Sequence, residues 1–187
     1  MVSKKLSFFI IVLVIVIAIF WANKDKTPKE PKIVLLKTSM GDIKIELDPN
    51  MPITSGNFEK LVNEGFYDGT IFHRVIDGFM IQGGDPNGDG TGGPGYTIKD
   101  EFTKGNSNLR GTVSMANRGP DTGGSQFFIN LVDNTQLDYD KEPLTSKHPV
   151  FGKVVEGMEV VDAIGKVETG AMDKPVEDVV IIEAKIM

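Results

Sequence analysis

The stretch Phe72-His73-Arg74-Val75-Ile76-Asp77-Gly78-Phe79-Met80-Ile81-Gln82-Gly83-Gly84-Asp85 decides how this chain is read. It forms two short strands around a turn at Asp77-Gly78. Arg74 stands among Phe72, Val75 and Ile76, and an unpaired guanidinium in apolar strands is expensive. Two readings are open. In one, Arg74 pairs with a carboxylate or lies along a sheet edge with its head in water. In the other, it points into a groove lined by Phe79, Met80 and Gln82 and donates to a ligand.

The residues around this stretch are mostly strand-like. Residues 33–38 and 42–47 read as a hairpin, with Ile43, Ile45 and Leu47 alternating onto one face. Residues 52–63 read as a helix whose Phe58, Leu61, Val62 and Phe66 keep a helical period, with Gly65 as its stop. Residues 112–116, 127–131 and 150–155 read as strands, and 158–164 as a second amphipathic helix ending at Gly165. Residues 176–187 read as the last strand, with Val180, Ile182, Ala184 and Ile186 on one face. The expectation is a mainly β fold: a closed eight-stranded antiparallel barrel capped by two helices, since closure removes exposed edges.

The N-terminus has a different character. Lys4 and Lys5 precede residues 6–22, a run of 17 positions with Ser7 as its one polar member. As a helix it would span about 25 Å, short for a bilayer but apolar all round. Phe20 and Trp21 resemble an interfacial belt. The expected organisation is a membrane anchor or signal segment at 1–22, a charged, proline-containing linker at 23–31 and one domain at 32–187. A retained anchor would hold the domain outside the cytoplasmic face. The alternative is secretion after cleavage, although Phe20 sits where a signal peptidase site wants a small residue.

Composition excludes several chemistries. The chain has 187 residues, a net charge of −6 and no cysteine, so disulfides, thiolate catalysis and a lipidated-cysteine anchor are ruled out. Residues 1–30 carry five Lys against Asp25 and Glu30, a net +3, which leaves −9 on the rest and disfavours nucleic acid. Asp85-Pro86-Asn87-Gly88-Asp89-Gly90 begins like a calcium loop, but its twelfth position is Tyr96. His73 and His148 lack the spacing of a helical zinc pair. Ser125 precedes a strand and does not sit on a strand-to-helix elbow. No metal and no cofactor is expected.

A second set of blocks decides what Arg74 is for. Gly90-Thr91-Gly92-Gly93, Ser114-Met115-Ala116-Asn117 and Gly124-Ser125-Gln126-Phe127-Phe128-Ile129 follow the opening stretch in order. Together these blocks resemble the cyclophilins, a family of peptidyl-prolyl cis-trans isomerases, over residues 33–187. The resemblance implies an enzyme that rotates X-Pro peptide bonds in proline-containing polypeptides and assists protein folding. It implies Arg74 as hydrogen-bond donor to the rotating bond. Phe79, Met80, Phe128 and Leu137 would form the proline pocket, with Gln82 positioning Arg74 and contacting the substrate backbone. Asn117 would pair with the peptide main chain, Gln126 and Ala116 would line the adjoining groove, and His148 would close the rim. A monomeric domain is expected. The alternative is a binding module that holds a proline loop, or a chaperone, with incidental turnover.

Three departures stand out. Arg118 occupies a position where the family often has a small residue, which suggests a preference for acidic or long side chains near the proline. A longer segment separates Asp138 from His148. Gln136 replaces a Trp whose indole N–H helps to bind cyclosporin in many family members. Weak cyclosporin inhibition with isomerase activity retained is therefore expected in a peptide isomerisation assay; a nanomolar inhibition constant would contradict it.

Overall fold

Hairpin formation begins the sheet. The computed structural model describes residues 30–142 and 147–187. Strands β1 (Ile33–Thr38) and β2 (Gly41–Leu47) pair antiparallel, and Ile43, Ile45 and Leu47 are buried as the alternation requires. β3 (Arg74–Ile76) and β4 (Met80–Gly83) fold around the Asp77-Gly78 turn, where Gly78 has φ +68°. β5 (Thr112–Met115), β6 (Phe127–Asn130), β7 (Val150–Glu156) and β8 (Ile181–Ile186) complete one sheet. Its order is β3-β4-β6-β5-β7-β2-β1-β8, and every ladder is antiparallel.

The sheet is an open half-barrel, which corrects the expected closed cylinder. No ladder among the described residues joins the edge strands β3 and β8. Residues 69–72 lie between those edges and form no strand of their own. Ile71 makes single bridges to Asp85 and Val180, and the Phe72 N–H donates to the Val179 carbonyl at 2.9 Å. These contacts cover the edges without continuing a ladder, which serves the same protective end as closure.

The last strand is also shorter than the sequence suggests, and its phase differs. Ile181 and Ala184 are buried, whereas Ile182 is 59% exposed. The reason is a register shift against β1, where Thr38 faces Ile181 but Lys37 faces Glu183. One extra residue in the pairing breaks the strict alternation.

Two helices pack on this sheet. α1 (Thr54–Asn63) begins two residues later than predicted, after the turn at Pro52-Ile53. Its first-turn amides at Ile53 and Thr54 both donate to the Glu101 carboxylate, an acid placed at the positive end of the helix. Its C-terminus closes through Phe66 N–H to Leu61 O and Gly65 N–H to Val62 O, with Gly65 at φ +68°. α2 (Met158–Ile164) buries Val161 and Ile164. Among the described residues no helix is long and apolar enough to cross a membrane. The predicted anchor or signal segment and nearly all of the linker lie outside the described residues.

The core is aromatic. Phe58 of α1 is fully buried, with its ring 4.9 Å from Tyr67, 5.3 Å from Phe127 and 5.1 Å from Phe151. It therefore ties the helix to β6 and β7 at once. Phe58→Ala is expected to cost about 3–5 kcal/mol of stability. Denaturant unfolding checks this, and a loss below about 1 kcal/mol would show that the cavity collapses.

Candidate active site

Register puts the site on the outer face of the sheet. Arg74 faces Gln82 across β3 and β4, and Gln82 faces Phe128 across β4 and β6. Directly opposed residues share a face, so these three stand in one row. Their neighbours Val75, Ile81, Phe127 and Ile129 point the other way and belong to the core cluster. Phe128 and Met80 are 4% and 2% exposed yet lie outside that cluster. Buried apolar side chains on an outer face need a cover.

The cover comes from the turn after Asn134 and from His148. A 3₁₀ turn, Thr135–Leu137, places half-buried Leu137 here. The His148 amide donates to the Leu137 carbonyl at 3.1 Å, so the two ends of the longer segment meet at the pocket. The His148 ring stands edge-on to Phe128, 5.3 Å between centroids at 81°. Its Nδ1 lies 3.1 Å from the Met115 carbonyl oxygen. A carbonyl only accepts, so Nδ1 carries the hydrogen and Nε2 is left as an acceptor.

A buried polar network holds that cover down. Asn134 donates to the Phe79 carbonyl at 2.9 Å and to Asn130 Oδ1 at 2.8 Å. Asn108 donates to Asp138 through its backbone N–H (2.7 Å) and its side chain (2.9 Å), and accepts from Ser114 Oγ at 2.7 Å. Asn108, Asn130, Asn134, Asp138 and Ser114 are all buried. Each is satisfied, so the network fixes Leu137 and Phe79 instead of costing stability.

Beside the apolar dent runs a groove of about 630 Å³, lined by Gln82, Gly92, Ala116, Asn117, Arg118 and Gln126 among others. Gln82 Nε2 donates to Gln126 Oε1 at 2.9 Å, and Gln126 Nε2 donates to the Gly92 carbonyl at 2.8 Å and the Gly90 carbonyl at 3.1 Å. Arg118 Nη2 donates to the Gly90 carbonyl at 2.7 Å, so its charge sits at the groove wall. Asn117 Nδ2 donates to the Lys147 carbonyl at 2.7 Å, which ties the groove to His148. Ser125 is structural: it is fully buried, and its hydroxyl donates to the Gly84 carbonyl. A side chain on Gly84, at φ +82°, would meet the Ser125 carbonyl at 2.5 Å. The Asp85 carboxylate accepts amides from Asn87, Asp89 and Gly90, which fill it from within its own loop.

Of the two readings of Arg74, the structure shows the first. It lies on the edge strand and pairs with a carboxylate, its Nε donating to Asp173 Oδ2 at 3.3 Å. It also shares the row of Gln82 and Phe128. The head-group contact expected from Gln82 is made instead by Asp173, which sequence reasoning did not single out. Nothing local marks a partner that is 99 positions away. The Asn108–Asp138 network was missed as well, although Asn130, between Phe127-Phe128-Ile129 and Leu131, was a readable polar interruption.

The family model described as Cyclophilin type peptidyl-prolyl cis-trans isomerase/CLD matches residues 33–186. The peptidyl-prolyl cis-trans isomerase-like 1 of Gibberella zeae is 44% identical over 159 residues, 82% of this chain and 94% of that protein. The protein of the same name from Homo sapiens is 45% identical over 163 residues, 83% of this chain and 92% of its own length. A crystal structure of a cyclophilin type isomerase from Cryptosporidium parvum superposes with TM-score 0.76 at 35% identity, covering 84% of this chain and 98% of that one. This chain therefore belongs to the cyclophilin-type peptidyl-prolyl cis-trans isomerases.

Burial holds the His148 pKa below its ordinary value, against the opposing pull of the Met115 carbonyl and of Asp100. Burial does the same to His73, whose two ring nitrogens find no partner among the described residues. An unfolded histidine titrates near about 6.5, so the unfolded chain takes up protons first as pH falls. The stability due to these neutral rings is complete above that value and drains as pH falls through the native ones. NMR titration of His148 is expected to give a midpoint below about 6.5 with Nδ1 protonated; a midpoint at or above it would contradict this burial argument.

Proposed function

We propose that the row Arg74–Gln82–Phe128 performs the isomerisation. A prolyl peptide bond rotates over a barrier of about 18–20 kcal/mol and takes tens to hundreds of seconds unaided. Reaching about 10³ turnovers per second requires lowering that barrier by about 7 kcal/mol. No bond to the enzyme is needed. In the twisted transition state the imide nitrogen regains its lone pair and accepts a hydrogen bond that neither planar state accepts as well. A fixed donor at that nitrogen binds the transition state preferentially. The Arg74 guanidinium, planar and permanently charged, is suited to this.

The other residues hold the substrate. Phe79, Met80, Phe128 and Leu137 offer an apolar seat for the pyrrolidine ring, with His148 at its rim. Gln82, Ala116, Asn117 and Gln126 line the groove that takes the flanking peptide. The observation that carries this reading is the placement of buried Phe128 and Met80 on the outer face, beside the arginine and outside the core. The Cryptosporidium parvum relative has also been solved in the presence of the dipeptide Ala-Pro, with TM-score 0.75 at 35% identity.

We also infer that the enzyme works on folding proteins while tethered to a membrane by residues 6–22, with the domain outside the cytoplasmic face. The support is the apolar run of residues 6–22, broken only by Ser7, behind Lys4 and Lys5. For the chemistry, a protease-coupled Ala-Pro peptide assay on wild type and Arg74→Ala is the test. A loss of about 10²-fold in kcat/KM is expected, the size of one transition-state donor. Undiminished turnover by the variant would mean that the groove only binds proline loops.

A further inference from the structure

We propose that Asp173 is a positioning residue for Arg74. Its carboxylate holds the guanidinium by Nε and leaves both Nη amino groups for the prolyl bond. This rests on the reading of Arg74 as the donor.

The hydrogen bonds on the page assign Asp173 that task. Arg74 is on an edge strand, so it has a strand neighbour on one side only. That neighbour, Gln82, commits its amide to Gln126. Among the described residues the head group is held instead by Asp173 through a single contact, Nε to Oδ2 at 3.3 Å. A guanidinium has five N–H donors, and gripping it at Nε leaves the four on the Nη atoms.

Folding stability does not explain the pair. The side chains are 43% and 47% exposed, and exposed ion pairs contribute little. The backbone beneath it is costly. Met172 and Asp173 have φ of +60° and +59°, two consecutive non-glycine residues in the left-handed region. Met172 gains no burial in return, being 86% exposed. The turn is nonetheless braced. Gly170 N–H donates to the Lys174 carbonyl at 2.8 Å, and Val176 N–H to the Glu168 carbonyl at 2.9 Å. Thr169 and Pro175 form a bridge at its base. The outcome of this strained and braced turn is a carboxylate held against one edge of the catalytic arginine. An arginine oriented beforehand gives up less freedom when substrate arrives.

The test uses the full chain and an Ala-Pro peptide. Values of kcat and KM are measured for wild type, Asp173→Ala, Asp173→Asn, Arg74→Ala and the Arg74→Ala/Asp173→Ala double variant. Asp173→Ala is expected to lower kcat about threefold, the scale of an exposed ion pair, with KM within about twofold. Asp173→Asn, which keeps an acceptor oxygen and tolerates the left-handed backbone, is expected to restore kcat. In the Arg74→Ala background, removing Asp173 is expected to change nothing. The Arg74 Nε–H resonance in a ¹⁵N NMR spectrum should shift on Asp173→Ala and return with Asp173→Asn.

Three results would each overturn the proposal: an undiminished kcat in Asp173→Ala, no rescue by Asn, or an equal loss when Arg74 is already absent. An Arg74→Ala enzyme as fast as wild type would instead remove the reading of Arg74 itself, whatever Asp173 does.

Discussion

The pairing of Gln82 with Phe128 across β4 and β6 is the constraint on which the site depends. Side chains on a strand alternate with a period of two, so a slip of one residue would exchange every inner and outer position. Phe127 and Ile129 would then face outward, and Phe128 would enter the core with Gln82 behind it. The register is protected because the inner set is fully apolar. Phe127 meets Phe58, Tyr67 and Phe72 in edge-on contacts. The core thus sets the phase, and the phase puts Arg74, Gln82 and Phe128 in one row on the outer face.

An apolar dent on an outer face is a liability unless its walls are held. Here the walls come from a loop, and the loop is held by polar atoms that are themselves buried. Asn108, Asn130, Asn134 and Asp138 span the backs of three segments and satisfy one another. A water-filled or half-paired version of the same network would let Leu137 drift. Hydrogen bonding, which adds modestly to net stability, therefore contributes shape here more than free energy.

Much of this was legible in the chain itself. Alternation in residues 42–47 and the helical period through Phe58, Leu61 and Val62 gave elements and faces correctly. The blocks around Arg74, Ala116 and Gln126 gave the family and the expected roles. Closure of the sheet was not legible, because strand number says nothing about whether the two edge strands share a ladder. The phase of β8 was misjudged for a similar reason: the register shift against Lys37 and Thr38 is a property of the pair and not of either strand. The Asp173 contact belongs to the same class, since it depends on where a turn lands after the sheet has curved.

The account comes down to one geometry, a proline ring on Phe128 with its imide nitrogen beside Arg74. A crystal structure of the domain with an Ala-Pro peptide measures it directly. The account predicts the pyrrolidine ring packed against Phe128 and Leu137, with an Arg74 Nη atom within about 3–3.5 Å of the imide nitrogen or its adjoining carbonyl. A peptide bound with its proline elsewhere, or a guanidinium that stays beyond hydrogen-bonding reach of the prolyl bond, would contradict it.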